Sequence, residues 1–92
     1  MTIRELVNEQ NATVIDVRSS WEFEDGHVNG ALNIPLDEIP SRLDEIKELP
    51  GPYLLYCRSG NRSGMAAGML QQFGLSPVYN GGGLADMQIA LM

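Results

Sequence analysis

Two runs of apolar residues dominate the hydrophobic pattern of the chain. They are "TVIDV" at residues 13–17 and "YLLYC" at residues 53–57. Their β-branched and large apolar side chains predict strands buried on both faces of a sheet. Two shorter segments, "ALNI" at residues 31–34 and "PVYN" at residues 77–80, predict further short strands, the first of which is closed by Pro35.

Helical patterns alternate with these strands. The first predicted helix is residues 2–10 with Thr2 as N-cap, and Ser20 is predicted to cap a short turn through "WEFED" that ends at Gly26. A third helix has Ile39, Leu43 and Ile46 on one face and is stopped by "LPGP" (49–52). The last two are residues 62–73 and the terminal "LADMQIALM". Because strands separated by helices in a short chain pair in parallel, we expect an α/β fold with a mostly parallel central sheet and helices on both faces. Ninety-two residues suffice for one core, so a single domain over residues 1–92 is expected.

Charge is unevenly distributed along the chain. Residues 1–48 carry eleven acids and four bases, whereas residues 49–92 carry only Arg58, Arg62 and Asp86. An acidic surface predicts no binding to nucleic acid or to anionic membrane, because both are bound by extended basic faces. A small anion in a local pocket stays compatible with this charge, since the two arginines of the second half lie in one loop.

Cys57 is the only cysteine and His27 the only histidine. One cysteine forms no internal disulfide, and the two residues are too few for a structural zinc site, so we expect no metal. A free thiol suits a reducing compartment. Since no apolar run approaches the roughly 18 residues of a membrane span and the first ten residues do not resemble a signal peptide, we expect a cytoplasmic protein.

The segment "CRSGNRSG" at residues 57–64 follows the second apolar run without a break. In open α/β sheets ligands bind beyond the carboxyl ends of the strands, and Cys57 lies at such an end. Gly60 and Gly64 let backbone N–H groups converge, and the following helix adds its positive N-terminal dipole. A lone cysteine after an apolar run is usually a small buried hydrophobe. Here the cradle and its two arginines are expected to lower the pKa of the thiol and make it a nucleophile at neutral pH.

Three motifs in combination carry a family resemblance. The segment "IDVRSSWEFEDGHVNGALNIPL" is followed by "LLYCRSGNRSGMAAGML" and then by "VYNGGG", over roughly residues 3–88. In this combination the chain resembles a single-domain rhodanese of the thiosulfate sulfurtransferase family, and most of all the small bacterial phage-shock-type rhodaneses.

The resemblance implies a rhodanese-like three-layer fold and a sulfane sulfur carried as a persulfide on Cys57. The sulfur would come from thiosulfate or another persulfide donor and pass to cyanide or a thiol, with no cofactor; a protein acceptor stays open. The implied substrate-binding residues are Arg58, Ser59, Gly60, Asn61, Arg62 and Ser63.

Five motif residues outside the loop receive supporting roles. We interpret Asp16 and Arg18 as a structural network that braces the cysteine loop, with Arg18 at the pocket mouth as the alternative. By the resemblance, His27 organises the "GHVNGA" turn rather than acting as a general base. Trp21 and Phe23 are expected in the core or in a pocket wall.

Other functions stay open beside sulfur transfer. Cysteine phosphatases share a C-x5-R loop, but here Arg62 comes one position early and Ser63 occupies the arginine position, which leaves the loop a residue short. The triple glycine 81–83 lacks the GK[ST] ending of a phosphate loop and predicts a tight turn close to the cysteine loop. Arsenate reduction by a cradled thiolate is a minor alternative. A non-catalytic interaction module is the alternative from another class, although such modules usually lose the cysteine.

Overall fold

A four-stranded parallel sheet forms the centre of the structure, a computed structural model that describes residues 1–92. The strands are β1 (Thr13–Asp16), β2 (Leu32–Asn33), β3 (Tyr53–Cys57) and β4 (Val78–Gly83), in the order β2-β1-β3-β4. Every pairing is parallel, so the carboxyl ends of all four strands meet at one edge of the sheet. The predicted α/β class with its parallel sheet is therefore confirmed.

Five α-helices and two short 3-10 turns connect and flank the strands. They are α1 (Ile3–Asn8), α2 (Ser20–Glu24), α3 (Leu43–Lys47), α4 (Asn61–Gln72) and α5 (Leu84–Ala90), with 3-10 turns at Leu36–Glu38 and Pro40–Arg42. None of these helices combines the length and the apolar content needed to cross a lipid bilayer.

Side-chain caps begin the first two helices. Thr2 caps α1 as predicted, because its hydroxyl accepts from the backbone N–H of Glu5 while the Glu5 carboxylate accepts from the backbone N–H of Thr2. The predicted cap of α2 is wrong by one residue, since Ser19 rather than Ser20 precedes the helix. The carboxylate of Glu22 accepts from the backbone N–H of Ser19 at 3.0 Å and from its hydroxyl at 2.9 Å.

The helix predicted around residues 39–46 is regular only from Leu43 onward. Pro40 has no backbone N–H to donate, and the chain on either side of it winds as tighter 3-10 turns. The predicted apolar face is nevertheless correct, because Ile39 and Ile46 are both fully buried.

The alternation of side chains along the strands divides the core into two layers, one on each face of the sheet. One layer packs against α3, α4 and the 3-10 turns and includes Ile15, Val17, Ile34, Ile39, Ile46, Leu55, Cys57, Ala66 and Leu70. The other packs against α1, α2 and α5 and includes Leu6, Val14, Val28, Leu54, Tyr56 and Met87. Helices on both faces are thus confirmed.

The triple glycine belongs to β4, where the sequence predicted a separate turn. The register between β3 and β4 shifts so that Cys57 pairs with Gly83. Glycine is required here, because a Cβ atom at Gly83 would collide with the backbone carbonyl of Arg58 and Gly82 has a φ of +85°. The predicted close approach of these glycines to the cysteine loop is confirmed.

Candidate active site at the cysteine loop

Cys57 ends β3 in the centre of the sheet and is fully buried. The next three residues form a tight loop before α4, whose N-cap, Gly60, has a φ of +99°. The backbone N–H of Gly60 donates to the sulfur of Cys57 at 3.0 Å, and the hydroxyl oxygen of Ser63 lies 3.4 Å from the same atom. The loop therefore closes over the sulfur with donors directed inward, as the glycine spacing predicted.

The thiol of Cys57 has a pKa of about 7, below its ordinary value. Burial is the largest single influence and raises the pKa, but it is outweighed by hydrogen bonds from the Ser63 hydroxyl and from the backbone N–H groups of Ser63, Ser59 and Gly60. From the sequence, the lower pKa was expected to come both from the N–H groups of the loop and from its two arginines. In the structure the hydrogen bonds of the loop are its main cause, and neither arginine is among the main contributors.

Asn80, at the surface of β4, is a site residue that the sequence analysis missed. Its side-chain oxygen accepts from the Ser63 hydroxyl at 2.7 Å and from the backbone N–H of Gly82 at 3.0 Å. Its amide nitrogen donates to the carbonyl of Gly60 at 3.0 Å. Asn80 thus ties β4 to both ends of the cysteine loop. The sequence did contain one indication of this role, which is that Asn80 is a polar residue near the carboxyl end of the strand that pairs with β3.

The two arginines of the loop differ in their surroundings. The guanidinium of Arg62 forms a two-pronged ion pair with Glu22, at 2.8 and 3.1 Å, and this pairing lowers the pKa of Glu22 to about 2. Arg58 is exposed and forms no ion pair. The sequence analysis treated both arginines as free cations, and it did not foresee the carboxylate of Glu22 beside Arg62.

The other polar side chains of the loop differ in exposure. Ser59 and Asn61 are exposed and form no side-chain hydrogen bond, so Ser59 acts on Cys57 through its backbone N–H alone. Ser63 is fully buried.

Nowhere do three or more His, Cys, Asp or Glu side chains form a group suited to a metal ion.

Asp16 and Arg18 form a buried network at the carboxyl end of β1. The carboxylate of Asp16 accepts from the side chain of Arg18 at 2.7 to 3.0 Å and from its backbone N–H at 2.9 Å. The same guanidinium donates to the carbonyl of Gly26 at 2.7 Å and lies 5.8 Å from the centroid of the Tyr56 ring. The network joins β1 and β3 to the turn after α2, and none of its hydrogen bonds reaches the cysteine loop, so the predicted bracing of that loop stays a prediction.

His27 lies apart from the cysteine. Its ring stacks on Phe23, with 3.6 Å between the ring centroids, and its Nδ1 lies 2.8 Å from the carbonyl oxygen of Phe23. Because a carbonyl only accepts, Nδ1 carries the hydrogen. Trp21 is 69% exposed and therefore belongs to a cleft wall and not to the core.

Two open clefts flank the Arg62–Glu22 ion pair. One, of about 570 Å³, is lined by Arg18, Trp21, Glu22, Asp25, Arg58 and Leu84 among others. The other, of about 630 Å³, is lined by Arg62 together with apolar residues such as Met65 and Met69. Cys57 lines neither cleft, and its sulfur is fully buried beneath the loop.

A parallel α/β sheet with a cradled cysteine at the carboxyl end of its central strand defines a rhodanese-like protein. The chain belongs to this family, since the Rhodanese-like domain matches residues 2–88. Thiosulfate sulfurtransferase PspE of Escherichia coli is 38% identical over 74 residues, which cover 79% of this chain and 71% of PspE. The uncharacterized protein YqhL of Bacillus subtilis is 45% identical over 71 residues, which cover 77% of this chain and 56% of YqhL.

The solved structures agree with this assignment. A rhodanese with anions from E. coli is similar with a TM-score of 0.75 and 37% identity, covering 82% of this chain and 89% of that one. The family thus includes sulfurtransferases, and the chain spans little more than half the length of YqhL.

Proposed function

We propose that this protein is a sulfurtransferase that moves a sulfane sulfur through a persulfide on Cys57. The observation that supports this most directly is a buried thiol with a pKa of about 7, enclosed by N–H donors of its own loop. About half of such a thiol is ionised at neutral pH, and the thiolate is the nucleophilic form. A ring of backbone donors suits a persulfide, which is also an anion.

In the first half-reaction, the thiolate of Cys57 attacks the outer sulfur of thiosulfate. A new S–S bond forms as the S–S bond within thiosulfate breaks, and sulfite, SO3²⁻, leaves with the electron pair. The product is Cys57–S–S⁻. No proton is transferred in this step, which fits a site where His27 lies apart from the sulfur.

In the second half-reaction, an acceptor attacks the outer sulfur of the persulfide. Cyanide takes it up as thiocyanate and a thiolate takes it up as a new persulfide, and the electron pair of the broken S–S bond returns to Cys57. The loop N–H groups stabilise the negative charge on this sulfur in both states. A thiol that is free to react in this way suits a reducing compartment.

The other residues of the site support this chemistry in separate ways. Arg58, exposed and unpaired, attracts a small anionic donor to the mouth of the loop, and Arg62 adds charge that Glu22 partly neutralises. Ser63 contacts the sulfur, while Asp16 and Arg18 hold the carboxyl end of β1 to the turn after α2.

Phosphatase or arsenate chemistry remains the second candidate enzyme class, because it also uses a cradled thiolate. The Arg62–Glu22 pair counts against it, since the guanidinium that would bind an oxyanion in two-pronged fashion is already held that way by a carboxylate. A non-catalytic interaction module is disfavoured by the lowered pKa of Cys57, which such a module does not need.

Mass spectrometry of the intact protein after incubation with thiosulfate tests the proposal. We expect a gain of about 32 Da, the mass of one sulfur atom, located on Cys57 and removed by cyanide. Cys57→Ser is the matched control and should neither gain the mass nor form thiocyanate. A Cys57→Ser protein that still produced thiocyanate would refute the assignment, as would hydrolysis of aryl phosphates without any sulfur uptake.

A further inference from the structure

The carboxylate of Glu22 is built into the wall of the cleft that Arg58 of the cysteine loop also lines. It is held by four hydrogen bonds, two from Arg62 and two from Ser19, and its side chain is 11% exposed. With a pKa of about 2, it is ionised at every pH at which the protein is expected to work. The pKa of Arg62 is raised mainly by its hydrogen bonds to Glu22 and to a smaller extent by the charge of Cys57, so the ion pair lies within electrostatic reach of the sulfur.

The charged side chains around the cleft nearly cancel. Arg18 lines it but is paired with Asp16, and Glu22 lines it with its charge offset by Arg62. The two that remain without an ion pair are Arg58, which is positive, and Asp25, which is negative. Positive potential at the sulfur therefore comes mainly from the backbone N–H groups of the loop. These groups are directed at the reacting sulfur atom, so they do little to bind a second negative charge elsewhere on a donor molecule.

We infer that Glu22, with Asp25 beside it, makes this site select donors by charge, favouring sulfane sulfur compounds with one negative charge over the dianion thiosulfate. Suitable donors are alkyl persulfides, R–S–S⁻, and alkanethiosulfonates, R–SO2–S⁻. The inference rests on the proposed sulfur transfer and names its donor class. The N–H cradle suits the reacting sulfur of either kind of donor, whereas the second charge of thiosulfate gains little, because Glu22 already neutralises Arg62 and Asp25 balances Arg58 in the cleft.

Methanethiosulfonate, CH3–SO2–S⁻, is a matched probe for this inference. It presents the same outer sulfur on a sulfonyl group as thiosulfate does, but it carries one negative charge fewer. The thiolate of Cys57 attacks that sulfur, the bond to the sulfonyl sulfur breaks, and methanesulfinate, CH3SO2⁻, leaves with the electron pair. Both donors leave the same persulfide on the enzyme, so the second half-reaction is identical.

The test compares kcat/KM for the two donors with cyanide as acceptor, at one pH and one ionic strength. The wild type is compared with Glu22→Gln and with Asp25→Asn. Glutamine keeps an oxygen that accepts from Ser19, so the cap of α2 survives while the charge is lost. Glu45→Gln is the control, because Glu45 lines neither cleft and its removal changes the net charge equally.

We expect the thiosulfate to methanethiosulfonate ratio of kcat/KM to rise at least about twofold in Glu22→Gln, because the loss of one negative charge frees the guanidinium of Arg62 to attract the second charge of thiosulfate, even in a high effective dielectric. Asp25→Asn should raise the ratio less, and Glu45→Gln should leave it within about 1.5-fold of the wild type, since its distance and salt screening reduce the interaction.

An unchanged or lowered ratio in Glu22→Gln overturns the inference. An equal rise in Glu45→Gln overturns it too, since the effect would then come from net charge. Should Glu22→Gln not fold, Asp25→Asn decides alone, because Asp25 is exposed and its side chain forms no ion pair. Failure of the proposed function has a separate signature, which is the absence of a persulfide on Cys57 with either donor.

Discussion

Replacing Ser63 by alanine should raise the pKa of Cys57. The hydroxyl of Ser63 is fully buried with its oxygen 3.4 Å from the sulfur, and no solvent takes its place when it is removed. A hydrogen bond to a charged group contributes about 1.5 to 3 kcal/mol, which on its own corresponds to a shift of roughly one to two pKa units.

The expected shift is smaller, because the hydroxyl has one hydrogen and two acceptors. The atom of Asn80 that lies 2.7 Å from the Ser63 hydroxyl also accepts from the backbone N–H of Gly82, which identifies it as the amide oxygen. An amide oxygen only accepts, so the hydrogen of Ser63 points toward Asn80 when Cys57 is neutral. Stabilising the thiolate means weakening that bond, which contributes about 0.5 to 1.5 kcal/mol. The difference is about 1 kcal/mol, and we therefore expect Ser63→Ala to raise the pKa by about 0.5 to 1 unit.

The ultraviolet absorbance of the thiolate, followed against pH, measures this directly. Cys57 is the only cysteine, so subtracting the titration of Cys57→Ser removes the signal of the tyrosines. Since the thiolate is the reactive form, the rate of persulfide formation should rise with pH through the same midpoint, near 7 in the wild type. In Ser63→Ala both curves should move together to higher pH.

Ser59→Ala is the matched control, because the Ser59 hydroxyl is exposed and only its backbone N–H acts on the sulfur. This variant should titrate like the wild type. If Ser63→Ala also titrated within about 0.2 unit of the wild type, the backbone N–H groups alone would account for the lowered pKa and the reasoning on the hydroxyl would be wrong.

Two further predictions separate scaffold from chemistry. Asp16→Ala should lower the free energy of unfolding by about 3 to 5 kcal/mol, because it leaves the buried guanidinium of Arg18 unpaired, and the double variant Asp16→Leu with Arg18→Met should recover much of that loss in urea unfolding. His27→Gln should cost less than about 1 kcal/mol, because the ring is exposed and makes one hydrogen bond, and it should leave the pH midpoint of sulfur transfer unchanged. Loss of an ionisation near neutral pH in a stable His27→Gln protein would instead identify a general base.

Much of the fold and of the reactive centre follows from local sequence. The two apolar runs became the central strands β1 and β3, because such runs of apolar and β-branched residues are stable only when both faces of the strand are covered. The spacing of Gly60 and Gly64 after Cys57 likewise indicated a loop of converging N–H groups, since few other sequences let a chain turn so tightly into a helix. The pairing of Asp16 with Arg18 could also be predicted from the sequence, because the two residues are close together in the chain.

The charged and polar side chains that reach the cysteine loop from other elements were decided by tertiary structure alone. Glu22 lies 40 residues from Arg62, and Asn80 lies 17 residues from Ser63. The first half of the chain carries eleven acids, and no local pattern indicates which of them will meet the cysteine loop. That choice depends on how α2 packs beside α4 and on how β4 shifts its register to bring its glycines against the loop. The two arginines of the loop thus predicted a cationic site, and packing placed a carboxylate beside one of them, so that half of that charge is neutralised and the loop N–H groups are left as the main stabilisers of the thiolate.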